Sequence, residues 1–261
     1  MVVCLLLNKK LQNIINKISP VLAIAVILTV WQLLSSTGIV PKYMLPSPVD
    51  VVMAFVNDFS LLMEHAKTTL TEAFLGLAIG TALGFVIAVL MDRFPLLNKS
   101  IYPIIVLTQT VPTVAIAPLL VLWLGYGILP KITLIVVTTF FPIAVSLLEG
   151  FRSVDPDALN LLKAMGANRL QCFIHIKLPG ALSQFFSGLK ISASYSVVGA
   201  VVSEWLGGFT GLGVYMTRVR KSYSFDKMFA VIFFISLISF LLMFLVSVVK
   251  KSAMPWEDTK K

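Results

Sequence analysis

Residues 149–180 read EGFRSVDPDALNLLKAMGANRLQCFIHIKLPG, a polar stretch between two long apolar ones. No charged residue occurs in the preceding run, 132–148, or in the following run, 191–203. A helix that crosses the hydrocarbon of a bilayer needs about 20 mainly apolar residues, and both runs approach that length once their flanks are included. We therefore interpret residues 151–181 as a loop between two membrane helices.

The composition of the whole chain agrees with this interpretation. Hydrophobic residues make up 58% of the 261 residues and charged residues only 13%, which is too little polar surface to solvate a globule. The formal net charge of +9 is scattered at the ends of apolar runs. Because the charge forms no single stripe, it does not indicate a nucleic-acid partner.

Counting the apolar runs predicts a single all-α integral membrane domain over 1–261. The fifth span must begin ahead of Lys190, whose ammonium group would reach back to the headgroups. About six transmembrane helices are predicted, with the loop at 151–181 between the fourth and the fifth; they cover 18–38, 68–91, 100–124, 131–150, 182–206 and 228–250.

The distribution of lysine and arginine predicts the orientation. With both termini in the cytoplasm, fourteen of the 21 basic residues lie inside and seven outside. Three of the outer seven, Arg218, Arg220 and Lys221, form one cluster that runs against the rule.

Local signals divide the loop into two short helices. Asp155 is a candidate N-cap for a helix opened by Pro156, and that helix should stop near Gly166. Asn168 is the candidate cap of a second helix, which Leu178-Pro179 should break before the fifth span. The pattern predicts a helix–turn–helix elbow, with an amphipathic connector resting on the bilayer as the alternative.

A similar start signal occurs after the first span. Ser47 as N-cap, Pro48 in the first turn and Asp50 behind it predict a helix with apolar residues at helical spacing. We expect this helix to lie at the membrane surface.

The loop resembles that of the permease subunits of bacterial type I ABC importers. That family has Glu-Ala-Ala, three residues, Gly, nine residues, Ile, one residue and Leu-Pro after the fourth of six spans. Here Gly166 and Ile176 keep the spacing, whereas Asn160-Leu161-Leu162 replaces Glu-Ala-Ala. The resemblance implies that the following residues couple to the ATPase: Asn160, Leu161, Leu162, Gly166, Ala167, Ile176, Leu178 and Pro179.

The rest of the chain resembles the nitrate, sulfonate, taurine and thiamine-precursor branch of these permeases. Leu45-Pro46-Ser47-Pro48 and the segment from Glu204 to Met216 contribute to this similarity. The second of these most resembles permeases for the hydroxymethylpyrimidine precursor of thiamine. The alternatives within the branch are import of a sulfonate, taurine or nitrate.

The resemblance also implies the partners. No Gly-x-x-x-x-Gly-Lys-Ser/Thr loop occurs in the sequence, so ATP should be bound by a separate ATPase dimer and not by this chain. An extracytoplasmic binding protein should deliver the solute, and two copies of the chain should form the pathway in a bacterial plasma membrane. No cofactor or metal is expected.

Polar residues inside the predicted spans are candidates for lining that pathway. Gln109, Thr110 and Thr113 surround Pro112, whose freed backbone carbonyl offers them an alternative role. Glu204 is the acid in an otherwise apolar stretch, although it could instead reach headgroup water or pair with Arg218 or Arg220. Tyr195 has the character to stack on a pyrimidine, but aromatic residues near helix ends are more often interface anchors.

Small residues at helical spacing favour packing over transport. Gly76, Gly80 and Gly84 follow the small-xxx-small pattern of close helix contacts. A second small face on the fifth helix includes Ser196, which is also a pathway candidate; the face comprises Ser192, Ser196, Gly199 and Ser203.

The basic cluster at Arg218, Arg220 and Lys221 is a candidate docking surface for acidic lobes of the binding protein. The alternative is a solvated loop whose charge is partly offset by Glu204 and Asp226.

Two other classes of function, an intramembrane enzyme and a membrane scaffold, are the alternatives to transport. An intramembrane enzyme would need a nucleophile with a base or a metal cluster in the spans, yet both histidines, His65 and His175, fall outside them. A membrane scaffold without transport activity would not associate with an ATPase.

Overall fold

The structure, a computed structural model, describes residues 2–38, 40–41 and 43–256, with side chains from residue 18 onward. Lysines 42, 260 and 261, and the side chains of Lys9, Lys10 and Lys17, all of which entered the orientation count, lie outside this part. The described chain is helical and contains no strand. Its α-helices are α1 (Val2–Ser36), α2 (Pro48–Asn57), α3 (Phe59–Arg93), α4 (Pro95–Thr108), α5 (Thr113–Leu124), α6 (Ile128–Arg152), α7 (Pro156–Ala164), α8 (Arg169–Cys172), α9 (Leu178–Gly207), α10 (Leu212–Lys221) and α11 (Phe225–Ala253).

Among the described residues, five helices are long and apolar enough to cross a membrane, and a sixth span arises if the bent pair α4 and α5 counts as one. The predicted all-α membrane fold with about six spans is therefore confirmed. Several helices extend beyond the predicted spans. In particular, α3 has 35 residues and α9 has 30.

The predicted third span, 100–124, is divided by a 99° bend between α4 and α5. Pro112 carries no N–H and adopts an extended conformation as the residue before α5 (φ −61°, ψ 123°). The last turn of α4 tightens at the same point, because the N–H of Gln109 bonds to the carbonyl of Val106, three residues back.

The larger of two compact units comprises Leu61–Thr217 and the chain from Ile232 onward. Within it, α3 packs closely on α6 through its glycines. A Cβ atom at Gly84 would lie 2.8 Å from the carbonyl oxygen of Phe140, and one at Gly76 would overlap Ile135. Gly80 faces Thr139 in the same way. The predicted packing role of the three glycines is confirmed.

On its other side, α6 packs against α9. A Cβ atom at Gly188 would lie 2.6 Å from the carbonyl oxygen of Pro142. The hydroxyl of Ser192 donates to the carbonyl of Thr139 at 2.7 Å, and Ser196 is completely buried. The small face of α9 therefore serves helix packing.

The smaller unit comprises the chain up to Ser60 together with Arg218–Val231. Ser47 and Asp50 form a reciprocal capping box at the start of α2, which confirms the predicted start signal. The indole N–H of Trp31 donates to the carbonyl of Pro46 at 2.9 Å, and Lys227 pairs with Asp58 at 2.8 Å.

Candidate functional site: a coupling elbow and a buried polar cluster

The elbow begins with α7, whose two ends are set by local hydrogen bonds. Asp155 accepts a bond from the N–H of Asp157 at 2.9 Å, which confirms it as the N-cap. At the other end the N–H of Ala167 bonds to the carbonyl of Leu162, and Gly166 has φ +88°. This is the Schellman arrangement, in which a left-handed glycine ends the helix. The predicted stop at Gly166 is confirmed.

The second half of the elbow differs from the prediction. Asn168 and Gln171 form a capping box, so Asn168 is the predicted cap. Leu178-Pro179, however, does not break the helix, and that prediction is wrong. A π-helical turn at Phe173–Lys177 leads straight into α9, and Pro179 lies in its first turn, where a proline is tolerated.

One face of the elbow belongs to the core of the larger unit. Cys172 is buried, and Phe173 and Leu178 pack against a cluster that contains Leu147 and Phe151. The proposed coupling residues Leu162, Ala167, Ile176, Leu178 and Pro179 are half-buried. Because these side chains are partly covered by the protein itself, they contribute more to the packing of the elbow than to its exposed surface.

The elbow also exposes large apolar side chains. The exposed fractions are 65% for Leu161, 75% for Met165, 65% for Leu170 and 48% for Ile174. We call these four residues the apolar patch. Solvent-exposed apolar side chains in one short segment mark an interaction surface.

Sequence reasoning found only Leu161 of these four as a coupling residue. Leu161 lies on α7 and Met165, its C-cap, follows four residues later on the same face, a signal that could have identified Met165. The exposure of Leu170 and Ile174 depends on which face of the second helix the core covers, and this is a tertiary property.

An ion pair ties the elbow to the end of α3. The ammonium group of Lys177 contacts both carboxylate oxygens of Asp92, at 2.7 and 2.8 Å. Both side chains are partly shielded from solvent. The pair therefore links the start of α9 to a helix that is 85 residues away in the sequence.

The predicted pathway residues fall into two groups. Gln109 and Thr110 are exposed at the bend between α4 and α5, Thr113 is half-buried there, and Tyr195 is 47% exposed on α9. By contrast, Ser196 donates to the carbonyl of Ala193 inside the chain. We therefore leave Ser196 out of the pathway proposed below.

Glu204 lies at the centre of a buried polar cluster. Its carboxylate is 1% exposed and accepts a hydrogen bond from the hydroxyl of Thr69 at 2.7 Å and one from the N–H of Gly213 at 2.6 Å. Thr69 in turn accepts from the N–H of Leu212 at 2.9 Å. The N–H of Gly211 donates to Nδ1 of His65, also at 2.9 Å. The cluster thus holds the turn between α9 and α10 against α3.

Glycine is required at two positions of this turn. A Cβ atom at Gly211, where φ is +125°, would overlap the carboxylate of Glu204. One at Gly213 would lie 2.9 Å from Oε2 of the same side chain. The Gly-Leu-Gly sequence at 211–213 is therefore explained by the close approach of backbone to carboxylate.

A buried ion pair extends the cluster. Lys131 of α6 contacts Glu72 of α3 at 2.6 Å, with both side chains less than a tenth exposed. Sequence reasoning missed both residues. The sequence did place each of them inside a predicted span, where a charged side chain is rare and marks a structural or functional contact; it did not show that the two are paired.

The basic cluster lies in the last turn of α10, where Arg218, Arg220 and Lys221 are exposed. Cations are favourable at a helix C-terminus, because the unpaired carbonyls there carry partial negative charge. Helix stabilisation is therefore one reason for basic residues at this position.

The family model described as binding-protein-dependent transport system inner membrane component matches residues 80–254. This chain belongs to that family. It is a membrane-spanning transport subunit, a permease, as its sequence motifs predicted.

Full-length relatives support the assignment. A probable ABC transporter permease protein of Haemophilus influenzae is 36% identical over 88% of this chain and 94% of the relative. A formylaminopyrimidine transport permease protein of Halalkalibacterium halodurans is 34% identical, covering 92% and 96%. A taurine transport system permease protein of Escherichia coli is 30% identical, covering 89% and 87%.

Solved structures share the fold. An inward-facing methionine ABC transporter aligns with a TM-score of 0.66 at 19% identity, and the alignment covers 74% of this chain and 96% of the transporter chain. A bacterial ABC transporter for alginate import aligns with a TM-score of 0.64 at 16% identity, covering 93% and 99%.

The first prediction concerns the carboxylate of Glu204. In Glu204→Ala the hydroxyl of Thr69 can still donate to the carbonyl of His65, 3.3 Å away, but the buried N–H of Gly213 loses its acceptor. An unsatisfied buried donor costs about 1–3 kcal/mol. We expect a lower thermal unfolding midpoint and faster amide exchange at Leu212 and Gly213.

Glu204→Gln keeps one acceptor oxygen, so its thermal unfolding midpoint should lie between those of Glu204→Ala and the unchanged protein. Trp205→Ala is the control, since Trp205 is the exposed neighbour of Glu204. An unchanged rate of amide exchange at Gly213 in Glu204→Ala would contradict the role of the carboxylate in holding the turn between α9 and α10.

Proposed function

We propose that this permease is driven by a separate ATPase subunit that docks on the apolar patch of the elbow. The exposure of Leu161, Met165, Leu170 and Ile174 is the observation that carries the proposal. The elbow is continuous with α9 through the π-helical turn and is tied to α3 by Lys177 and Asp92. A movement of the ATPase would therefore be transmitted directly to two spans.

The second prediction tests this docking surface. Met165→Glu places a carboxylate in an apolar contact, so ATPase association should weaken about tenfold or more. Binding of the purified ATPase subunit to the permease, immobilised in detergent, measures the effect.

Gln171→Glu is the matched control, because it introduces the same side chain on the elbow while an oxygen still caps Asn168. If Met165→Glu binds the ATPase as tightly as the unchanged permease, the patch is not the docking surface.

The polar side chains at the bend are the proposed lining of the pathway. The side chains of Gln109 and Thr110 are exposed on the surface of the chain, although both residues lie at the break within the bent span formed by α4 and α5. A polar side chain facing lipid is unfavourable, so it should face water or protein. We propose that this surface faces the pathway between two copies of the permease, with Tyr195 on the exposed face of α9.

The proposed substrate is an aminopyrimidine precursor of thiamine. Its support is the 34% identity to a formylaminopyrimidine permease over nearly the whole of both chains. Import of a sulfonate such as taurine is the second candidate, supported by the taurine relative at 30% identity.

The third prediction concerns uptake. Proteoliposomes containing the permease, its ATPase and its binding protein should accumulate labelled hydroxymethylpyrimidine or formylaminopyrimidine and not taurine. Gln109→Leu should reduce uptake several-fold while leaving assembly with the ATPase unchanged. Leu119→Met, an exposed apolar exchange on α5, is the control. Accumulation of taurine alone would reject the pyrimidine proposal.

We also propose that both termini are cytoplasmic and that the basic cluster of α10 receives the binding protein. Exposed charges of this kind raise association rates and are screened over about 8 Å at physiological ionic strength. The elbow then lies in the cytoplasm and the turn at 208–213 lies outside.

The fourth prediction neutralises the cluster. The triple variant Arg218→Gln/Arg220→Gln/Lys221→Gln avoids placing acids at a helix C-terminus, where they would be unfavourable. It should raise the binding-protein concentration for half-maximal ATPase stimulation by about tenfold at low salt, and by much less at high salt. Basal ATPase activity is the internal control. Identical stimulation curves at low salt would remove the docking role.

A further inference from the structure

The smaller unit contains a cavity between α2 and the start of α11. Its volume is about 410 Å³, within the range of about 300–1,000 Å³ that is usual for ligand pockets. Polar and aromatic side chains line it, among them Tyr43, Asn57, Tyr223 and Asp226. We call it the tyrosine cavity.

The cavity offers polar groups and a negative charge to a ligand. Four of its side-chain groups form no hydrogen bond or ion pair with any residue that the structure describes: the hydroxyls of Tyr43 and Tyr223, the amide of Asn57 and the carboxylate of Asp226. Asp50, the other acid of the lining, takes part in the capping box of α2. The ammonium group of Lys227 lies 2.8 Å from the carboxylate of Asp58, so its charge is compensated. Asp226 is therefore the group that a cation in the cavity would meet.

Tyr223 has a backbone conformation that its fold does not explain. It follows α10 with φ +56° and is the only non-glycine residue with a positive φ in the described part of the chain. The N–H of Ser224 bonds to the carbonyl of Val219 and that of Tyr223 to the carbonyl of Arg220, which is the Schellman ending where glycine is usual. A side chain is unfavourable in this conformation, and burial does not offset it, because Tyr223 is 75% exposed. Such strain points to a function of the side chain.

The tyrosine cavity and the basic cluster of α10 come from one short stretch of chain. Tyr223 follows Lys221 by two residues, and Asp226 follows Tyr223 by three. A partner that brings acids to the basic cluster therefore finds a carboxylate and an aromatic ring beside it. Neighbouring charges of opposite sign fix the orientation of a partner, because a rotated partner would place like charges together.

We propose that the tyrosine cavity receives an arginine side chain of the extracytoplasmic binding protein, with Asp226 as the anionic partner of the guanidinium group. This inference rests on the proposed function, in which the basic cluster receives the same protein. A guanidinium group is planar, so it can donate to a carboxylate and to the amide oxygen of Asn57 while its face lies against a tyrosine ring. Tyrosine and arginine are also enriched among the residues that dominate the binding energy of protein interfaces.

The cluster and the cavity then have different effects on binding kinetics. Exposed charges such as those of the basic cluster mainly raise the association rate, whereas a charge pair enclosed in a cavity mainly slows dissociation. Removing the cavity contact should therefore shorten the lifetime of the complex and leave its rate of formation nearly unchanged.

The test measures both rates for the binding protein on the permease, which is purified with its ATPase subunits in lipid nanodiscs. Asp226→Asn should weaken binding about tenfold through faster dissociation. Glu64→Gln is the matched control, because it removes the same charge from an exposed acid that does not line the cavity. It should leave both rates unchanged.

Tyr223→Gly separates docking from folding. Glycine suits the left-handed position, so the thermal unfolding midpoint should not fall, while loss of the ring should weaken binding about tenfold. Tyr223→Phe keeps the ring and should bind nearly as tightly as the unchanged permease. A lower unfolding midpoint in Tyr223→Gly would show that the ring serves the fold and would overturn the inference.

The other outcomes distinguish this inference from the proposed function. If Asp226→Asn and Tyr223→Gly bind normally while the neutralised basic cluster associates more slowly, the inference is wrong and the proposed function stands. If the binding protein does not bind the unchanged permease, the proposed function fails, and the inference fails with it. If hydroxymethylpyrimidine alone binds the permease and Asp226→Asn abolishes that binding, the cavity is a solute site, which also overturns the inference.

Discussion

Close packing of α6 between α3 and α9 is the constraint on which the rest of the larger unit depends. Glycines allow this approach on both sides of α6, since Gly84 meets the backbone of Phe140 and Gly188 meets that of Pro142. In lipid there is little hydrophobic force between helices, so such contacts rely on van der Waals packing and on hydrogen bonds. The bond from Ser192 to the carbonyl of Thr139 is one of these.

This packing places the elbow and the buried polar cluster at opposite ends of the same helices. At one end α6 leads into the elbow and α9 emerges from it. At the other end α9 carries Glu204 into the polar cluster. The helical run from Arg169 to Gly207 covers 39 residues, or about 58 Å. One continuous helical run therefore connects the proposed ATPase contact to the turn between α9 and α10.

The buried charges show how a polar cluster is tolerated at the end of the spans. Lys131 compensates Glu72, and Thr69 and Gly213 donate to Glu204. Removing one partner from such an arrangement is costly, because a charge or donor then stays buried without compensation. The same arrangement gives the turn at 208–213 one defined conformation.

Local features were determined by the sequence alone. The caps at Ser47, Asp155 and Asn168 and the stop at Gly166 need only neighbouring residues, and the length of the apolar runs indicates the spans. Other features depend on residues that are distant in the chain. Thr69 lies 135 residues from Glu204, and Glu72 lies 59 from Lys131, so no local pattern pairs them. Pro179 was misjudged because a proline breaks a helix only when its missing N–H is needed, and the π-helical turn before it removes that need. Likewise, α7 and α8 have apolar residues on more than one side, and only packing against the core decides that Met165, Leu170 and Ile174 stay exposed.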